Sequence, residues 1–340
     1  MSQFNIYKLG ATHLLKLLSH LPWAAKESEQ KTYLKLVRKV VCYNQGKIAD
    51  YAFATNESHK RLRKCYQHIL NDPSAAEEKD YEALEKAYQE ISVGLIRQFK
   101  GYAKKNFEFM AEFCELKDFN RKRARFCVKS ATFKNQEYEI LPIAGSVPLT
   151  NNVAYSAEES TGFSAVIHTG KYFLCNNIPE QTKARKYKNS RIRRNQVLDF
   201  YQLPGWRKNL GYRFGDTKDN SWIRCWENGN LSQQITDPSA FYKSTLVVPL
   251  SLLARPGDLS DAFIKNFEVH EDKIILGFLC LDHENINFFN HKADVDFAYI
   301  IADHLSLYWV HYSICTNQSS IFQKSYDLLT SNNLGAASIN

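Results

Sequence analysis

The run KIILGFLCLD at residues 273–282 constrains this chain more than any other feature. Ile274 to Leu281 is uncharged and apolar, bounded by Lys273 and Asp282. The roughly 20 apolar residues of a bilayer-spanning helix are not there, so the run reads as a buried strand. Gly277 inside it permits close approach of another backbone or helix. The flanking segments follow from that strand. STLVVPLSLL (244–253) is a second apolar strand that ends near Pro249, a residue suited to a sheet edge or strand end. DVDFAYIIADHLSLYWVHYSIC (294–315) is an amphipathic helix with Phe297, Ile300, Ile301, His304, Leu305, Tyr308 and Trp309 on one face. A helix of that kind covers one face of an antiparallel sheet and leaves a pocket between the other face and the loops.

Upstream the period changes. Residues 27–118 read as helical, with Tyr33, Leu36, Val37, Val40 and Val41 beginning the repeat. ATNES (54–58) reads as a break, and Pro73 with Ser74 marks a turn. Tyr81, Leu84, Tyr88, Ile91 and Leu95 follow a 3-4 alternation, which is then interrupted by Gln98 and Lys105 at seam positions. The expectation is a helical hairpin or bundle with contacts to a second copy, a homodimer. From about 120 the pattern becomes strand-like: RKRARFCVKSATF (121–133), EYEILPI (137–143), and GFSAVIHTGKYFLCNNI (162–178) as strand–turn–strand with Thr169-Gly170 at the turn. The fold class is therefore α+β. Its parts are a short amphipathic segment (1–26), a helical region (27–118), a sheet domain (119–316) with an aromatic, turn-rich insertion near 196–240, and a C-terminal helix and flexible tail (317–340).

Bulk chemistry narrows the function classes. The formal net charge of +8 comes from 44 Lys and Arg against 36 Asp and Glu, too balanced for a bulk nucleic-acid binder. It is locally polarised: 183–194 carries seven basic residues and no acid, while 258–303 carries ten acids and three Lys or Arg. The eight cysteines are scattered without a C-x-x-C pair, as expected of free thiols in a reducing cytoplasm. His283 and His291 lack a tight metal spacing, and no P-loop, dinucleotide fingerprint or nucleophile elbow is present. No cofactor, no metal and no membrane span is expected. Asp282-His283-Glu284 reads as the end of a core strand entering a loop.

Y-x-S-x-L-x-V-P-L (242–250), I-x-G-F-L-x-L-D (275–282) and D-x-x-F-x-x-x-I-A-D-x-L-S (294–306), in that order, resemble the C-terminal half of a GAF domain. The stretch AYSAEESTGFSAVIHTGKYFLCNNIPEQTKARKYKNSR also resembles GAF-like sensor domains. The resemblance covers roughly 120–316 and implies a GAF-like antiparallel sheet with flanking helices and a small-ligand pocket. It places Tyr187 and Arg191 near the pocket mouth. The insertion, and the lack of tetrapyrrole-attachment and cyclic-nucleotide patterns, mean that no ligand identity carries over.

The candidate ligand-binding residues are Tyr187, Lys188 and Arg191 of the basic run and Trp222, Arg224 and Trp226 of the insertion. Clustered cations neutralise an anion, and tryptophans interleaved with arginines stack a base or heterocycle. The competing readings are a solvated loop that complements the acidic 258–303 segment and a tryptophan mini-core that holds an irregular loop together. The leading expectation is a non-enzymatic sensor for a small, anionic or nucleotide-like ligand, relaying to a downstream protein partner through the N-terminal helices. The alternatives are a nucleic-acid-binding regulator and, by resemblance to GAF-fold methionine sulfoxide reductases, a thiol reductase. That last reading uses Cys175 and Cys225, with Lys171 and Arg224 lowering a thiol pKa.

Overall fold

The computed structural model describes residues 27–71, 78–117, 124–134, 137–146, 154–184, 186–188, 242–253, 269–270, 273–283 and 285–313. The helices are α1 (Glu27–Asn71), α2 (Glu78–Glu115), α3 (Thr161–Thr169), α4 (Ile178–Lys183) and α5 (293–313). The strands are β1 (Ala124–Lys134), β2 (Glu137–Gly145), β3 (Tyr155–Ser156), β4 (Phe173–Cys175), β5 (Ser244–Leu253), β6 (Val269–His270) and β7 (Lys273–His283). They form one antiparallel sheet in the order β3-β2-β1-β7-β5-β4, with β6 also on β7. The class is α+β, with a helical region preceding the sheet.

β7 lies between β1 and β5, and Ile274–Leu281 are all buried. That position explains its unbroken apolar sequence, because both faces of the strand are covered. At Gly277 the constraint is sharpest: a Cβ there would lie 2.2 Å from the carbonyl oxygen of Lys129 on β1. The pairing also shifts at this point. Leu250 and Ser251 of β5 face Gly277 and Ile275, so Leu276 is the extra residue of a bulge. Pro249 lies beyond the β5 residues that pair with β4, which are Thr245–Val247. The strand does not end there, but continues to Leu253.

The described residues divide into two compact units. One takes those up to Val41 and from Ala103 to Asp303; the other takes 42–102 and those from His304 onward. In the first, Tyr33 of α1, Phe113 of α2 and Phe297 of α5 form a ring cluster, with Phe113 and Phe297 stacked at 4.2 Å. Phe107 of α2 stacks on Phe126 of β1 at 6.1 Å, so helices cover this sheet face. Lys39 pairs with Glu112 at 2.7 Å, and Lys117 holds the buried Asp294 carboxylate. In the second unit, the Tyr51 hydroxyl donates to the Leu95 carbonyl at 3.1 Å, and Tyr102 stacks on Tyr308 at 4.5 Å.

Three further local readings of the sequence are corrected. ATNES does not break the helix; α1 is continuous. The Thr55 and Ser58 hydroxyls bond back to the carbonyls of Tyr51 and Ala54, both at 2.8 Å, so they satisfy themselves inside a helix instead of capping one. Residues 161–169 are helix α3, not a strand. Phe163, Val166 and Ile167 face the core at helical spacing, and Gly162 seats the helix against Phe173 and Val247. Gly170 is the left-handed C-cap (φ 61°), its N–H bonded to Val166, and not a hairpin turn. In α2 the buried face passes through Phe99, Ala103 and Phe107, so Gln98 and Lys105 are not core seam positions.

Two outcomes follow. Gly277→Ala forces β1 and β7 apart, and urea unfolding is expected to show a loss of about 2–4 kcal/mol, the range of severe core and backbone strain. Asp303 on α5 has its carboxyl pushed up to about 7 by burial, against the opposing pull of Lys273. The native state then binds a proton that the unfolded state releases near pH 4. The contribution of this group is intact below about pH 4 and is lost as pH rises toward 7, with a slope of at most about 1.4 kcal/mol per unit. Asp303→Asn is expected to flatten that segment of the stability–pH curve and to exceed the parent in stability above pH 7.

Candidate functional site

Alternation along β1 sends Phe126 and Val128 to the face covered by α2, and sends Arg125, Cys127 and Lys129 to the opposite face. The register puts Asp282, Cys280 and Phe278 of β7 directly across from those three. Thr245 of β5 pairs with Asp282, and its hydroxyl donates to the carboxylate at 2.7 Å. One sheet face therefore carries a polar track through an otherwise apolar surface. Its floor is the cluster of Ala131, Ile140, Val247 and Phe278, and α3 packs over it through Phe163, Val166 and Ile167.

Lys129 is the centre of this track. Its ammonium donates to the Tyr155 hydroxyl at 2.8 Å and sits 4.6 Å from the Phe163 ring centroid and 5.5 Å from that of Tyr155. No carboxylate among the described residues forms an ion pair with it. Burial works against the charge, while Tyr155, Cys280 and Cys127 favour it, and the lysine stays above its ordinary value. The Tyr155 phenol is raised by burial, with Lys129 opposing. The lysine and the phenol are both pushed toward holding their protons, with burial the largest single influence on each. Two aromatic faces offer the ammonium about 1–2 kcal/mol in all, less than a desolvated charge ordinarily needs. The sequence signal for this site was the Lys/Arg alternation with apolar residues in 121–133; β3 and Tyr155 had no comparable signal.

Of the six candidate residues from the sequence, Tyr187 and Lys188 lie within the described structure; Arg191, Trp222, Arg224 and Trp226 lie outside it. Tyr187 stacks on Phe173 at 6.4 Å, and its hydroxyl meets that of Tyr242 at 3.1 Å. The Lys188 backbone N–H donates to the Thr161 hydroxyl at 2.8 Å, and its carbonyl accepts from the Thr161 N–H at 3.1 Å. Lys188 thereby anchors the start of α3 through its backbone. Tyr187 and Tyr242 thus meet at the edge of the same sheet face.

Cys175 lacks the activated environment that the thiol-reductase alternative requires. It is buried, and burial raises its thiol pKa, with a backbone hydrogen bond from Asn177 only partly opposing. Cys225 lies outside the described residues. His283 is buried, accepts from the Asn285 N–H through Nδ1 at 3.0 Å and stacks on Phe288 at 3.5 Å, which fits a strand end packed into its loop. Glu284 is outside the described residues. Among the described residues no group of three or more His, Cys, Asp or Glu could hold a metal, and no helix is long and apolar enough to cross a membrane.

No family model matches the chain, and none of the curated proteins does. Among solved structures it is similar to a protein described as a GAF sensor from Burkholderia vietnamiensis. That match has 12% identity and a TM-score of 0.26, covering 64% of this chain and 94% of the other. It is also similar to the free methionine-R-sulfoxide reductase of Neisseria meningitidis, a structure in complex with its substrate. Here too identity is 12% and the TM-score 0.26, covering 72% of this chain and 96% of the other. At those values neither likeness carries an argument about activity.

The thiol environments predict a reactivity order. In the native protein at pH 7, Cys175 is expected to react with iodoacetamide at least about tenfold more slowly than the exposed Cys42, read by mass spectrometry of time-quenched samples.

Proposed function

We propose that this chain is a non-enzymatic sensor that binds a small anionic, ring-bearing ligand on the α3-covered face of its sheet. The observation that carries the reading is the Lys129 ammonium, set against two neighbouring rings with no carboxylate ion pair among the described residues. A phosphate or carboxylate group there gains a charge-assisted hydrogen bond in a half-buried setting, and a flat ring gains contact with the half-buried Tyr155. Strand β1 links the site to the helices, since Phe126, three residues before Lys129, stacks on Phe107 of α2. Binding shifts the protein only if the ligand distinguishes two arrangements of these elements. The GAF-like resemblance of the sequence agrees with this reading.

The test is a thermal-shift series with inorganic phosphate, nucleoside mono- and triphosphates and small dicarboxylates, at constant ionic strength, on the parent and Lys129→Met. The parent is expected to show stabilisation that grows with the logarithm of ligand concentration and reaches about 2.7 kcal/mol at a hundredfold excess over Kd. Lys129→Met is expected to fold at least as stably without ligand and to bind about tenfold to a hundredfold more weakly, the loss of one charged hydrogen bond. An unchanged shift in a folded Lys129→Met protein overturns the proposal. So does the absence of any small-anion shift combined with retention of oligonucleotides that grows with their length.

A further inference from the structure

Cys127 and Cys280 occupy directly opposed positions on β1 and β7. Opposed residues of an antiparallel pair project to the same face, so both thiols stand on the polar track one alternation from Lys129. The ladder phase fixes their spacing further. The Ser146 N–H donates to the Phe126 carbonyl at 2.8 Å and the Phe126 N–H to the Ser146 hydroxyl at 3.0 Å, so Phe126 turns its backbone toward the β2 side. Cys127, the next residue, turns its backbone toward β7. Cys127 and Cys280 are therefore a hydrogen-bonded pair, with Cα atoms about 5.5 Å apart. That falls inside the roughly 4.4–6.8 Å window a disulfide requires. Neither cysteine is in a disulfide; Cys127 is half-buried, its thiol donating to the Val128 carbonyl at 3.6 Å, and Cys280 is buried.

We propose that Cys127 and Cys280 form a reversible cross-strand disulfide when the protein meets a hydroperoxide. The two thiols have different parts. Cys127 is the less buried partner and reacts first: its sulfur takes one peroxide oxygen, the O–O bond breaks, and one water (or alcohol) leaves with the thiol proton. Cys280, across the ladder from it, then attacks the Cys127 sulfur. The S–O bond breaks, the S–S bond forms, and the Cys280 proton departs with the hydroxide as a second water. Two thiols are oxidised by two electrons and one hydroperoxide is reduced. Burial pushes the Cys280 thiol well above its ordinary value and Lys129 opposes that, so Lys129 favours the anionic character that the second step develops. A bridge imposed on two hydrogen-bonded central strands is poorly accommodated by the ladder, which keeps it within reach of thiol reductants. The site stands independently of the anion reading, because it needs only the register of β1 and β7.

The experiment treats the full chain with hydrogen peroxide at low micromolar excess and blocks remaining thiols under denaturing conditions. Peptides are then mapped without reduction, alongside Cys127→Ser and Cys127→Ala variants whose folding is checked by circular dichroism. The expected result is a linked Cys127–Cys280 peptide, a fall of two in the free-thiol count, recovery of both with dithiothreitol, and no linked peptide in either folded variant. Sulfinic or sulfonic acid at Cys127 with Cys280 still a free thiol overturns the proposal. A native, peroxide-treated protein in which both thiols remain unreacted overturns it equally.

Discussion

The close approach of β1 to β7 at Gly277 is the contact on which the rest of the structure depends. With 2.2 Å available where a Cβ would stand, the two strands lock at one register. From that register follow the positions of every side chain on the polar track. Slipping a strand by one residue would turn Lys129 and Cys127 into the helix-covered face and Phe126 into the other. The bulge at Leu276 then changes the phase of β7, so that Ile275 joins Phe278 and Cys280 in the same core cluster. A single glycine and a single extra residue thus set which face is polar.

The sheet treats its two faces differently. One is closed by a helix through Phe107 on Phe126, and that helix is in turn stacked on α5 through Phe113 on Phe297. The other retains an ammonium, two thiols and a carboxylate hydrogen-bonded to Thr245 beneath a short helix. A buried apolar residue at position 129 would serve packing better, since desolvating a lysine is costly and Tyr155 supplies only a neutral partner. The presence of that charge is the clearest mark of use in the molecule.

Much of the architecture was legible before the structure, because period and burial agree. The unbroken apolar run 274–281 could only be a strand covered on both faces, and the requirement at Gly277 was visible in the run itself. The helices over 78–115 and 293–313 followed from their apolar faces. Two errors came from residues with double meanings. Thr55 and Ser58 look like helix caps but bond to the preceding turn. Thr169-Gly170 looks like a hairpin turn but is a helix end, because nine residues of SAVIH-type sequence fit either period. The site was harder to read. Tyr187 was singled out for its basic neighbours and stacks at the edge of the sheet face, whereas Lys129 looked like ordinary alternation. Its significance lies in Tyr155 and Phe163, which are 26 and 34 residues away and meet it only in the folded chain.

The central claim is that Lys129 is a cation held ready for an anionic group. Its ammonium can be followed directly by heteronuclear magnetic resonance on 15N-lysine-labelled protein, with the resonance assigned by its loss in Lys129→Met. The account predicts a protonated, slowly exchanging Nζ at pH 7 whose signal moves saturably as inorganic phosphate or a nucleotide replaces chloride. The Nζ signals of Lys39 and Lys117, already paired with Glu112 and Asp294, should stay fixed. A neutral Lys129 amine at pH 7, or an ammonium signal indifferent to every anion that stabilises the protein, would contradict it.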